Sequence, residues 1–142
     1  LAREFGYEPF WGAVAAACHP DPQQRDPARA LEALALPTSD DLGTGSWGVS
    51  AFARLQLGDV DGAQADLERG DQLTEGRSRN WNAWYALLWA WVHHERGDHE
   101  RARAYRVLAE DILEDILYDG EQPWSGSIVL SVVHEVRQRL GG

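Results

Sequence analysis

Five residues around one turn invite a metal-binding reading: His93, His94 and His99, with Glu95 and Glu100 beside them. A zincin-type helix holds its ion through His-Glu-x-x-His, which brings both imidazoles to one helix face. Here the residue four after His94 is Asp98, and His99 falls beyond Gly97. His93 and His94 are adjacent and point about 100° apart on a helix. Ordinary core and surface histidines are therefore expected, with no metal and no cofactor. A second cluster, Glu110, Asp111, Glu114, Asp115, Asp119 and Glu121, pairs carboxylates at i, i+4. Such pairs can serve acid–base or cation chemistry. Without a cation they repel mildly, and a solvated face or a patch for a basic partner accounts for them. Gly43-Thr-Gly-Ser-Trp-Gly48 has the letters of a dinucleotide loop. That site needs a preceding strand and a βαβ unit; no strand precedes it, so it reads as an entry to a helix. These residues carry no catalytic constellation, and a non-enzymatic role is expected.

Composition narrows the partners. The 142 residues suffice for one domain and bury roughly two-thirds of the unfolded surface at this size. The net charge is −10, with 13 basic residues spread along the chain. Nucleic-acid affinity comes mostly from cations neutralising phosphates, so neither nucleic acid nor an anionic membrane is an expected partner. No apolar run reaches the ~18 residues of a membrane span. The single Cys18 cannot form an intramolecular disulfide and sits in an apolar, Ala-rich stretch that suggests a buried thiol. A cytoplasmic location is the expectation. The absence of Met and the start at Leu1-Ala-Arg suggest a processed or excised chain.

The elements that position all these residues read as helices. Pro9 opens a segment running to Cys18, and His19-Pro20-Asp21-Pro22 stops it. Asp26-Pro27 caps and starts a helix ending near Leu36. Ser46 caps Trp47 to Leu57; Gly58 stops that helix, and Asp59 caps the next, to about Leu73. Asn80 or Asn82 caps Trp84 to Arg96; Gly97-Asp98 repeats the stop and cap before a helix to about Tyr118. Val129, Val132, Val133, Val136 and Leu140 lie at helical spacing in a last segment, with His134, Glu135, Arg137, Gln138 and Arg139 on its polar face.

Two of these helix pairs repeat one another 39 residues apart. Ala51 matches Ala90, Gly58-Asp59 matches Gly97-Asp98, Ala63 matches Ala102, and Leu73 matches Ile112. A degenerate copy precedes them, with Ala16, Ala28, Ala30 and Ala35. Small residues let paired helices approach closely, and Trp47, Leu67, Trp89 and Leu108 fill the space between. The position held by Ala35, Gly70 and Ala109 is expected to face the following unit. A period in this range indicates stacked units that share a core.

This pattern resembles the tetratricopeptide repeat family, on Trp47, Ala51, Gly58-Asp59, Ala63, Leu67 and Gly70 in the middle unit and Ala90, Gly97-Asp98, Ala102 and Ala109 in the third. The resemblance implies one all-α domain, 1–142: a solenoid of three antiparallel helical hairpins, about 9–36, 47–73 and 82–118, with a capping helix at about 127–140. It further implies a concave groove lined by the first helix of each hairpin. By the repeat register Phe52, Leu55 and Gln56, then Trp84, Leu87, Trp91, His94 and Glu95, line that groove, beside Phe10, Ala13 and Ala17. The Lys/Asn/Arg carboxylate clamp of some family members is replaced by Ala13, Ala17, Val49, Trp84 and Leu88, so carboxylate-terminated ligands are not expected. The expected function is a protein- or peptide-interaction module that takes an apolar or amphipathic segment, with the scaffold or sensor part of a larger protein as a variant. Self-association through the same face is one alternative. A small-ligand pocket is another. A third is a fragment of an α/α-toroid carbohydrate-active enzyme, with Trp84, Trp91, His94, Glu95, Glu121 and Trp124 at its site.

Overall fold

The computed structural model describes residues 10, 12–19, 21–35, 43–73, 75, 77–118, 133, 135–136 and 138–140. Every regular element among them is helical: α1 (residues 12–17), a 3-10 turn at Pro22–Gln24, α2 (Pro27–Ala35), α3 (Thr44–Gln56), α4 (Val60–Asp71), α5 (Arg79–Glu95) and α6 (His99–Tyr118). Positions 133, 135, 136, 138 and 139 are helical too. The chain divides into two compact units, one ending at Leu73 and one beginning at Thr74. In the first, α3 packs on α2 and α4; in the second, α5 packs on α6. No described helix is long and apolar enough to cross a membrane.

One turn, made twice, organises both units. Gly58 and Gly97 have φ of 82° and 79°, a left-handed conformation that costs a residue with a Cβ roughly 1–2 kcal/mol. The Gly58 N–H donates to the Leu55 carbonyl at 3.1 Å, and the Gly97 N–H to the His94 carbonyl at 3.0 Å. The Asp59 N–H reaches the Arg54 carbonyl at 2.8 Å, and the Asp98 N–H reaches that of His93 at 2.9 Å. Each aspartate then caps the next helix, Asp59 accepting from the Gly62 N–H at 2.9 Å and Asp98 from the Arg101 N–H at 3.2 Å. The sequence repeat is thus a repeat of hydrogen bonds.

Behind the turn the two units diverge. In the first, the Ser50 hydroxyl donates to Asp66 at 2.6 Å, and Arg54 Nε donates to the same oxygen at 2.9 Å. Arg54 also pairs with Asp59 at 3.0 Å. The same repeat positions in the second unit hold Trp89, His93 and Tyr105. Their rings stack, with centroids 5.7 Å apart for Trp89–His93, 6.1 Å for Trp89–Tyr105 and 5.4 Å for His93–Tyr105. A charge-assisted network and an aromatic stack therefore occupy one structural role.

The small positions are where the repeat puts them: Ala51, Ala63, Ala90 and Ala102 are buried, as are Gly70 and Ala109. Several expectations are corrected. Helix α3 starts at Thr44 rather than Trp47, with Gly43 as its N-cap and no side-chain cap bond; Thr44 Oγ1 instead approaches the Gly70 carbonyl at 3.5 Å. The cap of α5 is Ser78, which accepts from the Trp81 N–H at 3.4 Å, not Asn80 or Asn82. Ala35 and Leu108 are exposed rather than interior. Glu135 is buried and pairs with Arg139 at 3.2 Å instead of lying on an outer polar face. The helix end expected near Leu36, and residues 119–132, lie outside the described residues.

Candidate functional site

Helix α5 is apolar on every side. Ala83 through Leu88 and Ala90 through Val92 are all buried, the pattern of a helix covered all round rather than along one stripe. Its aromatics are held individually. Trp81 and Trp84 meet edge to face at 5.4 Å, and the Arg77 guanidinium lies 4.4 Å over the Tyr85 ring. Arg77 Nε also donates to Asn82 at 2.7 Å. Trp91 donates its indole N–H to Glu95 at 3.3 Å, and the Arg139 guanidinium sits 5.3 Å from the Trp91 ring centre. Val136, one turn before Arg139, is fully buried, and its carbonyl accepts from the Leu140 N–H at 2.9 Å. The C-terminal segment thus lies on Trp91.

The eight expected groove residues separate by this burial. In the second unit Trp84, Leu87 and Trp91 are at most 3% exposed, while His94 is half-buried and Glu95 exposed. In the first unit Phe52 and Leu55 are core. Gln56 is a strut: its Nε2 donates to the Ala17 carbonyl at 3.1 Å and the Phe52 carbonyl at 3.4 Å. Ala13 and Ala17 are buried as well. Five of the eight therefore present no surface to a partner while the chain keeps this conformation.

The titratable groups follow their surroundings. Burial pushes the Cys18 thiol up to about 12, against the pull of Arg25, so the thiolate that would react is suppressed. Burial also raises Asp66 above the usual carboxylate value, although Ser50 and Arg54 oppose it. The Gly62 N–H holds exposed Asp59 below that value, with Arg54 assisting. Burial lowers His93; Asp98 opposes that shift, and Arg101 and Arg96 add to it.

The other motifs find places away from chemistry. His94 and His99 meet edge to face at 5.1 Å, but no group of three or more His, Cys, Asp or Glu among the described residues can hold a metal ion. In the acidic cluster Glu110 pairs with Arg106 at 3.3 Å, and Asp111, Glu114 and Asp115 are exposed on α6. Asp119, Glu121 and Trp124 lie outside the described residues. Sequence reasoning missed the Trp89–His93–Tyr105 stack, which depends on two helices meeting in register. It was visible only as three substitutions at repeat-equivalent positions. The comparisons add nothing to these features: no family model, no curated protein and no solved structure matches this chain.

Proposed function

We propose that the chain is a non-catalytic interaction module, built as a tetratricopeptide-like stack of helical hairpins with a C-terminal cap. Its aromatic α5 face is the docking surface for an apolar or amphipathic segment of a partner protein. The observation that supports this reading is how that face is occupied within the second unit. Val136 is buried and Arg139 lies over Trp91, in a segment with Val129, Val132, Val133, Val136 and Leu140 at helical spacing. The α5 face already holds a helix of the kind the module would receive. A partner helix with the same apolar spacing and a guanidinium in the Arg139 position competes for Trp91. Binding energy at such faces concentrates in a few aromatic and arginine contacts.

The test uses Val136→Ala/Arg139→Ala, which loosens the segment and also takes the Arg139 partner from the buried Glu135 carboxylate. Circular dichroism first checks that the variant stays helical. Both chains then capture partners from native lysate, with a synthetic peptide of residues 127–142 as competitor. The reading expects a protein enriched on the variant over wild type and released by the peptide. A folded variant that binds neither the peptide nor any protein refutes it.

A further inference from the structure

Within the second unit the end of α5, the first turns of α6 and Leu140 enclose a cleft of about 250 Å³, lined by His94, His99, Ala102, Arg103, Arg106 and Leu140. We infer that this cleft binds a phosphate monoester, clamped by Arg103 and Arg106 with the His94 and His99 imidazoles as further donors. The site adjoins the α5 face through His94 and is formed with the C-terminal segment in place, since Leu140 lines it.

The lining runs against the charge of the molecule. The chain carries −10 overall, and all 13 of its basic residues are arginine. Yet among the described residues no carboxylate lines this cleft. Of the neighbouring acids, Glu100 is exposed on the turn beside His99, and three others have partners. Glu95 accepts from the Trp91 indole, Asp98 caps α6 and pairs with Arg101 at 3.5 Å, and Glu110 holds Arg106 from one side. The Arg103 side chain is exposed and forms no hydrogen bond or ion pair with any described residue. His99, Arg103 and Arg106 recur at i, i+4 and i+7, so they share one face of α6. Ala102, small and buried between them, leaves the space open.

The repeat separates packing from function here. The first-unit equivalents of His94, His99, Arg103 and Arg106 are Leu55, Val60, Gln64 and Leu67. Leu55 and Leu67 are core. The helix-pair architecture is thus satisfied by apolar residues at these positions, and the second unit replaces both leucines with cationic or titratable side chains. The geometry favours a phosphate over a carboxylate. Two guanidinium forks and two imidazoles offer more donors than two carboxylate oxygens accept, whereas a phosphate monoester presents three terminal oxygens and up to two charges. Arginine suits this role because its planar fork meets two oxygens at once.

The test follows the histidine ring resonances of the full chain during titration with inorganic phosphate and with O-phosphoserine, ionic strength held constant with sodium chloride. We expect saturable shifts at His94 and His99 but not at His19, which serves as reference. Arg103→Gln/Arg106→Gln should raise the half-saturating concentration at least tenfold, with helicity unchanged. If that pair fails to fold, Arg103→Gln alone decides, since its side chain is exposed. Absence of saturable shifts, shifts reproduced by sodium chloride, or a folded variant that binds like wild type each overturns the assignment. Tighter binding of a phosphoserine peptide than of inorganic phosphate would support it with a modified protein as the source. Equal binding would support it with a small phosphorylated metabolite.

Discussion

His93 is the residue at which pH should act on the second unit. Burial, helped by the nearby Arg101 and Arg96 charges and opposed by Asp98, holds it below the ordinary 6.5, in a stack with Trp89 and Tyr105. The unfolded chain takes up a proton at about 6.5 that the folded chain refuses until lower pH. Stability from this group is therefore complete above 6.5 and is lost as pH falls from 6.5 to the folded value. Urea midpoints at pH 7 and pH 5.5 should differ more for wild type than for His93→Phe, which keeps the stack without the proton; an equal difference would dismiss the assignment. Asp66 in the other unit behaves in the opposite sense. Its raised value means that the folded state holds a proton the unfolded state has released, so this term weakens stability as pH rises above 3.8. Removing the side chain is nonetheless costly, because Ser50 and Arg54 both donate to it. Asp66→Ala should lose about 1–3 kcal/mol at neutral pH, and Asp66→Asn, which keeps an acceptor, clearly less. Denaturant titration measures both. The residue types around these sites were plain in the sequence. Their partnership was not, because Ser50 and Asp66 lie on different helices and meet only through packing.

At the scale of the element, the two Gly-Asp turns carry a sharper expectation. A Cβ at Gly58 or Gly97 meets nothing within 4 Å, so sterics with neighbours contribute nothing and only the backbone conformation resists substitution. Gly58→Ala and Gly97→Ala should each cost about 1–2 kcal/mol, with Asn in either place costing less. Equal losses at the two turns, read by thermal unfolding, would match their equal φ; a loss confined to one would mean that a neighbour, not the backbone, sets the cost. These turns and the caps at Asp26, Asp59 and Asp98 were legible because a cap is decided within four residues of chain. The start of α5 was misread for a related reason. Ser78, Asn80 and Asn82 are all competent caps, and the choice among them depends on which backbone N–H groups packing leaves unpaired.

At the scale of the molecule, the aromatic face of α5 decides how the chain is understood. The C-terminal segment covers Trp91 through Arg139, beside a fully buried Val136. Val136→Ala/Arg139→Ala removes buried methyl groups, a guanidinium–indole contact and the Arg139 partner of the buried Glu135 carboxylate, and should cost at least about 1.5–3 kcal/mol. Tryptophan emission should shift to the red and amide exchange should quicken in the segment before global unfolding. Unchanged emission with a folded variant would mean that the segment does not shield Trp91.

Amino-acid types and spacing by themselves determined that the chain is helical, where the Gly-Asp turns fall, and that Ala51, Ala63, Ala90 and Ala102 lie inside, since these follow from backbone sterics and from a 3.6-residue period. Only the tertiary structure decided that Phe52, Leu55, Trp84, Leu87 and Trp91 are buried in this conformation, and that His94, His99, Arg103 and Arg106 line one cleft. A helix apolar on all sides does not reveal which side stays open. Burial depends on the neighbours that arrive from elsewhere in the chain, and the 39-residue repeat is silent about what lies between its copies.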